Sequence, residues 1–345
     1  MWKKHSVSAL LLAGGLLAGC AEEPAQQEET GQDEKTGIEI GMTFDSFIIE
    51  RWQRDRDVFV SAAQELGAEV NVQNANGDLE EQLSQIEYFI EKDVDAIVIV
   101  AIDSNGLAEA VAEAHRAGIL VIAYDRLIRN ANVDLYISFD NEEVGRLMGE
   151  HIREHLGETG QVLQICGPLA DNNVSLVMSG FSDALEGSAL EIVGTEYAEG
   201  WLAETGFSAV NTYLDTGTAP DAIMCGNDSI AGQAIRALSE QRLAGSVCVV
   251  GQDADLDACQ RVVEGTQCMT VYKPVERLAR RAAELSVALA EGDMITSTET
   301  ADDGTYVVPY ERLEPVAVTK DNMDEVITGK YHEESDIYLN VRDRE

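Results

Sequence analysis

A series of polar residues follows directly on short apolar runs: Asp45, Asn74, Asp103, Asp125 with Arg126, Asp171 to Asn173, Asn227 with Asp228, and Asp253. Asp, Asn and Arg offer hydrogen-bonding groups in planar pairs, which suits a ligand whose adjacent hydroxyls each donate and accept. Trp52 and Trp201 supply indole faces for the flat C–H patches of such a ligand. The set suits a small neutral sugar, and taken alone an amino acid as well. Trp52 sits in FDSFIIERWQRDRDVF, where Gln53 to Asp57 read as the solvated side of a helix whose Phe59, Ala63 and Leu66 pack inward.

Other chemistries lack their fingerprints. No GxGxxG follows a strand, and neither a GxxxxGK[ST] loop nor a GxSxG elbow occurs. HIREH fits the inverted zincin string, with His151 and His155 as ligands and Glu154 as base of a zinc hydrolase. Its helix reads instead as a covering helix with Val144, Leu147, Met148, Ile152 and Leu156 as the apolar stripe. In DADLDACQRVVE the acidic positions of a calcium loop recur, but Ala258 stands where the obligatory glycine would make the turn. Aspartates at a helix N-terminus account for that run better, and they leave Asp253 free for a ligand.

These residues are positioned by alternating strands and helices. IEIGMTF, EVNVQN, DAIVIVA and ILVIAYD read as strands separated by helices near 50–66, 79–92 and 105–117. After YISFD the pattern restarts with QVLQIC, LEIVGTEY, DAIMCG, SVCVVG and CMTVY, with helices near 142–156, 174–187, 203–215, 228–240 and 256–264. The expected fold is α/β, with two doubly wound parallel sheets and ligand-facing loops at the carboxyl ends of their strands.

The first twenty residues, MWKKHSVSALLLAGGLLAGC, have the basic start, apolar centre and small-residue end of an export signal. LAGC resembles a lipobox, which makes Cys20 the expected site of lipidation and a lipid anchor the only expected membrane contact. Residues 21–37 read as a disordered acidic tether. Removal of Lys3 and Lys4 with the signal lowers the formal net charge of −39 by two, to −41. A nucleic-acid partner is thereby excluded, and the acidic surplus fits a salty medium. Cys166, Cys225, Cys248, Cys259 and Cys268 remain after Cys20; their odd number argues against a full disulfide framework, with a Cys259–Cys268 bridge left open.

ERWQRDRD, VQNANGDLEEQLSQIE, AYDR, YISFDNEEVG, DNN at 171–173, GWLAE, GNDSIAGQAIRALS and GQDADLDACQRVVEGTQCMTVYKP together resemble the D-xylose-binding branch of the type I periplasmic sugar-binding proteins of bacterial ABC transporters. The likeness runs from about Ile38 to about Glu334. It implies two lobes joined by three crossings, near 139–142, 269–273 and 305–308. Lobe one would be 38–140 plus 272–305, lobe two 141–270 plus 308–334, and 335–345 an acidic tail.

Carried over by residue, the resemblance implies Arg51, Trp52, Asp125 and Arg126 from lobe one. From lobe two it implies Asp171, Asn173, Trp201, Asn227 and Asp253, with Lys273 at a crossing. It further implies a monomer that binds a monosaccharide, D-xylose or else ribose, glucose or arabinose, and delivers it to an ABC permease without a cofactor or catalysis. Ile48 departs from the family's pattern, which has arginine there, and is expected to alter the pocket mouth.

Overall fold

The computed structural model describes residues 37–295 and 299–341. The expected leader, Cys20 and the tether through Thr36 lie outside the described residues, as does the end of the tail from residue 342.

From Glu39 the chain follows its apolar periodicity through β1 (Glu39–Phe44), α1 (Arg51–Glu65), β2 (Glu69–Asn74), α2 (Leu79–Glu91), β3 (Ala96–Ile99), α3 (Ala108–Arg116), β4 (Leu120–Tyr124) and β5 (Leu135–Phe139). AIVI and LYISF are buried at every residue, as strands covered on both faces must be. Helix starts carry local signals. Asp78 accepts from the amides of Glu80 and Glu81 at 2.9 and 3.4 Å, and those two acidic side chains favour the helix dipole.

The second half comprises α4 (Asn141–Leu156), β6 (Thr159–Cys166), α5 (Asn172–Leu185), β7 (Ala189–Tyr197), α6 (Glu204–Leu214), β8 (Ala222–Cys225), α7 (Asp228–Glu240), β9 (Cys248–Gln252), α8 (Leu256–Glu264) and β10 (Met269–Tyr272). The chain then returns through α9 (Val275–Ala290), β11 (Glu299–Asp302) and β12 (Val307–Leu313), and ends with β13 (Val316–Val318), α10 (Met323–Val326) and α11 (Glu334–Ile337).

Two sheets result. One has seven strands in the order β11-β12-β5-β4-β3-β1-β2, the other six in the order β13-β10-β9-β8-β6-β7. Both are parallel except at one edge, where β11 runs against β12 and β13 against β10. The chain therefore crosses between lobes three times: from β5 into α4, from β10 into α9, and from β12 into β13. Helix α9 packs on α1 and on β3 to β5, which anchors it in lobe one. In lobe two, α4 and α5 touch backbone to backbone. A Cβ at Gly145 would lie 1.9 Å from the Val177 carbonyl oxygen, and one at Gly180 would lie 1.8 Å from that of Glu142.

Three expectations are corrected. The third crossing lies at 314–315, not 305–308, because Val307–Leu313 forms β12 against β5, buries Val308 in the lobe-one core and stacks Tyr310 on Tyr136 at 4.6 Å. The described part of the tail is docked: Ile337 is buried beside Cys259 and Val263 of α8, and Gln260 Nε2 donates to the Asp336 carbonyl at 2.8 Å. In the helix after Trp52 the charged run is not all solvated. Asp55 is fully buried, whereas Leu66, expected inside, is exposed.

Candidate ligand-binding site

The carboxyl ends of the two sheets face each other, and the lobes touch directly. The amide and hydroxyl of Ser104 both donate to the Ala170 carbonyl at 2.9 Å, and Arg129 Nη1 donates to Asn172 Oδ1 at 3.0 Å. Between them a small cleft space of about 20 Å³ is lined by Ile49, Arg51, Trp52, Asp125, Arg126, Asp171, Asn173, Trp201, Gln252, Asp253 and Lys273.

Two cationic anchors organise it. Arg51, at the first turn of α1, grips Asp55 with Nε and Nη2 at 3.2 and 3.0 Å and pairs through Nη1 with Asp125 Oδ2 at 3.0 Å. Tyr124 donates to Asp55 from behind. Arg126 joins the lobes: Nη1 donates to Asp45 at 2.8 Å and to the Ala101 carbonyl at 3.0 Å, while Nε pairs with Asp171 of lobe two at 2.6 Å. Its guanidinium carbon lies 5.5 Å from the Trp52 ring centroid and 5.9 Å from that of Trp201, so it bridges the two indoles.

Burial would raise the Asp125 carboxyl, but Arg51, then Lys273 and Arg126, hold it below the usual carboxylate range. Asp171 goes the other way, because burial outweighs Arg126.

Asp125 and Asp253 occupy equivalent places in the two lobes. Each directly follows a strand, with its amide donating at 2.8 Å to the neighbouring strand, at Ile137 for one and Val271 for the other. Each also has a left-handed backbone, with φ of 64° and 98°, which is uncommon outside glycine and turns the carboxylate into the cleft at a conformational cost. Asp253 Oδ1 lies 3.9 Å from Arg51 Nη1 and 3.7 Å from Lys273 Nζ, beyond hydrogen-bond reach of both. It accepts no hydrogen bond, nor do Asn173 Oδ1 and Gln252 Oε1, and the indole N–H groups of Trp52 and Trp201 find no acceptor. Asn173 commits its other end, donating Nδ2 to the Asp125 backbone and side-chain oxygens at 3.0 Å each. Buried polar atoms of this kind are costly unless a partner fills them. Their alternation of donors and acceptors matches hydroxyls.

Trp201 ends a 3-10 turn in the left-handed region at φ 59°, directly after Gly200 at 58°. It lies against Gly167, where a Cβ would come within 2.3 Å of the indole. Nine of the ten residues expected at the site line the cleft together. Asn227 does not: it is buried at the start of α7, where its Oδ1 accepts from the Ile230 amide at 2.9 Å as a helix cap. Asn74 and Asp103 close local turns, and Asp45 serves as the partner of Arg126. Ile48 is exposed at 56%, and Ile49 lines the cleft in its stead.

Gln252 was missed. Strand alternation assigns it and Asp253 to opposite faces, and the left-handed turn at Asp253 breaks that rule. His151 and His155 lie on α4 beside Cys248 and Cys268, outside the cleft lining, and Glu154 is exposed. Cys268 therefore neighbours Cys248 and not Cys259, and all five described cysteines are free.

The fold and the cleft define a two-lobed binding protein, and the chain belongs to the periplasmic binding protein domain family, whose model matches residues 40–294. It is 42% identical over 307 residues to a D-xylose-binding periplasmic protein of Haemophilus influenzae, covering 87% of this chain and 92% of that one. It is likewise 42% identical over 306 residues to the D-xylose-binding periplasmic protein of Escherichia coli K12, with the same coverage. Among solved structures, an ABC transporter solute binding protein from Clostridium phytofermentans with bound β-D-glucose matches with a TM-score of 0.78 at 30% identity, over 87% of this chain and 99% of that one.

Proposed function

We propose that this protein captures D-xylose, or a close pentose, between its lobes and delivers it to an ABC permease by hinge closure, as a monomer. The observation that carries the reading is the set of unpaired buried polar atoms on Asn173, Gln252, Asp253, Trp52 and Trp201, drawn from both lobes around one cleft. A sugar bridging both faces binds the closed form better than the open one and shifts the population towards it. Arg126 would act as a latch, since its ion pairs span the lobes whether or not hydroxyls engage it. A sugar lacking one hydroxyl leaves a buried group unpaired, which is the source of selectivity. Two relatives named for D-xylose support this choice of sugar. A second reading, glucose, draws on the glucose-bound structural neighbour.

Titration followed by calorimetry or tryptophan fluorescence decides between them. The sequence has three tryptophans, of which Trp2 lies in the expected leader and Trp52 and Trp201 in the cleft, so the signal reports on the site. Xylose should bind most tightly of a panel with ribose, arabinose and glucose. Arg126→Ala, which breaks buried charge pairs, and Asp253→Ala, which removes a buried acceptor left for the sugar, should each weaken it by at least about 30-fold. A strong ribose or glucose response with none to xylose would sink the assignment; unchanged binding in both variants would place the site elsewhere.

For location, the reading is export followed by lipid attachment at Cys20. Cys20→Ser should release the protein from the membrane fraction and abolish labelling by a radioactive fatty acid. Retention of label would exclude that cysteine as the anchor.

A further inference from the structure

At the edge of lobe two away from the cleft, four soft donors converge. His151 and His155 stand one turn apart on α4, Cys248 is the first residue of β9, and Cys268 immediately precedes β10; one donor atom from each lies within 4.8 Å of all the others. We propose that this cluster is a structural metal site that holds one zinc-class divalent cation in a closed Cys2His2 shell.

Residues four apart on a helix share a face, and the two imidazoles lie 6.4 Å apart between centroids with their planes 29° from parallel. β9 and β10 are adjacent parallel strands, and the Cys268 amide donates to the Val249 carbonyl at 2.8 Å, which brings both sulfurs to the same end of the sheet. Helix α4 packs across both strands and so brings its histidines to them. Tetrahedral zinc with bonds of about 2.0 to 2.3 Å needs donor atoms roughly 3.3 to 3.8 Å apart. The four donors already lie within 4.8 Å of one another, so reaching that spacing takes shifts of about 1 Å.

The donor types select the ion. Two thiolates and two imidazoles with no carboxylate suit zinc and do not suit calcium or magnesium. Binding displaces the two thiol protons to solvent. Four protein ligands leave no position for an activated water, so the site is structural and not hydrolytic. Glu154, the base in the inverted zincin pattern, is outside the group. Cys248 is buried, while His155 is exposed and gives the ion a route in.

The site is also separate from sugar binding. Cys248 opens β9 and Asp253 follows its last residue, a separation of about 16 Å along an extended strand. Occupancy would pin the last two turns of α4, a helix that begins at the first crossing, to two strands of its own lobe.

The test uses the full chain, reduced in chelator-free buffer, with zinc alone as the probe. We expect one zinc per chain by elemental analysis. Cobalt(II) in its place should give thiolate charge-transfer and tetrahedral ligand-field bands, and saturating zinc should raise Tm by at least about 5 °C. Loss of an outer partner costs metal affinity about 10- to 100-fold, so His155→Ala and Cys268→Ser should each cost more than about 100-fold, with sugar titrations unchanged. His155 is exposed, so its variant retains the fold even if Cys268→Ser does not. Three results would each overturn the proposal: no zinc uptake by the reduced chain, uptake undiminished in His155→Ala, or a Cys248–Cys268 disulfide found by mass analysis in the protein as its host exports it.

Discussion

Asp228 has a buried carboxylate with three donors on it: Gln267 Nε2 and Thr270 Oγ1, each at 2.7 Å, and the Asp255 amide at 3.2 Å. Burial nevertheless pushes it up to about 7, against the pull of Arg261, and Asp255 is raised too, by burial and then by the Asp228 charge. In the unfolded chain such a carboxyl titrates near 4. Between those values the folded state holds a proton that the unfolded state has released. The protonated carboxyl therefore stabilises the fold fully below about pH 4, and this contribution is lost as the pH rises towards about 7. The loss is at most about 4 kcal/mol, a large share of an ordinary domain's stability. Thermal melts across that window should show Tm falling with pH, and Asp228→Asn should flatten the slope. A variant with the native slope would show that the three donors keep Asp228 ionised throughout.

At the scale of elements, the repeating β and α units were legible because buried parallel strands such as AIVI and helices capped by residues such as Asp78 obey local rules. Asp125 and Asp253 were legible for the same reason, since each ends an apolar run. What the sequence hid depends on contacts distant along the chain. Asp55, gripped by Arg51 one turn before it, is buried where the distant Tyr124 meets it, and β12 belongs to lobe one because β5 lies beside it. Asn227 carries the same local signature as Asp171, a cap residue before a helix. Asp171 also finds Arg126 across the cleft, while Asn227 serves its own helix alone. The convergence of His151 and His155 with Cys248 and Cys268 is tertiary in the same way, because β9 and β10 bring the cysteines to a helix about a hundred residues earlier in the chain.

At the scale of the molecule, a formal charge of −39 must be reconciled with closure. Both lobes are rich in Asp and Glu, and exposed or half-buried arginines such as Arg146, Arg153, Arg280 and Arg312 are already paired with neighbouring acids. Pairs of that kind contribute little, so the unpaired acidic surplus dominates the long-range field. Bringing two like-charged lobes together is opposed over a Debye length of about 10 Å at 0.1 M salt and about 3 Å at 1 M. The cleft itself is buried and its ion pairs are weakly screened. If the ligand is a neutral sugar, salt acts mainly on closure, so xylose affinity should rise from 0.1 to 1 M salt, together with Tm. An anionic ligand drawn in by Arg51, Arg126 and Lys273 would behave oppositely, because screening removes its attraction. Calorimetry at the two salt concentrations separates these cases: weakening with salt would overturn the neutral-sugar reading, and tightening would locate the electrostatic barrier in the approach of the lobes.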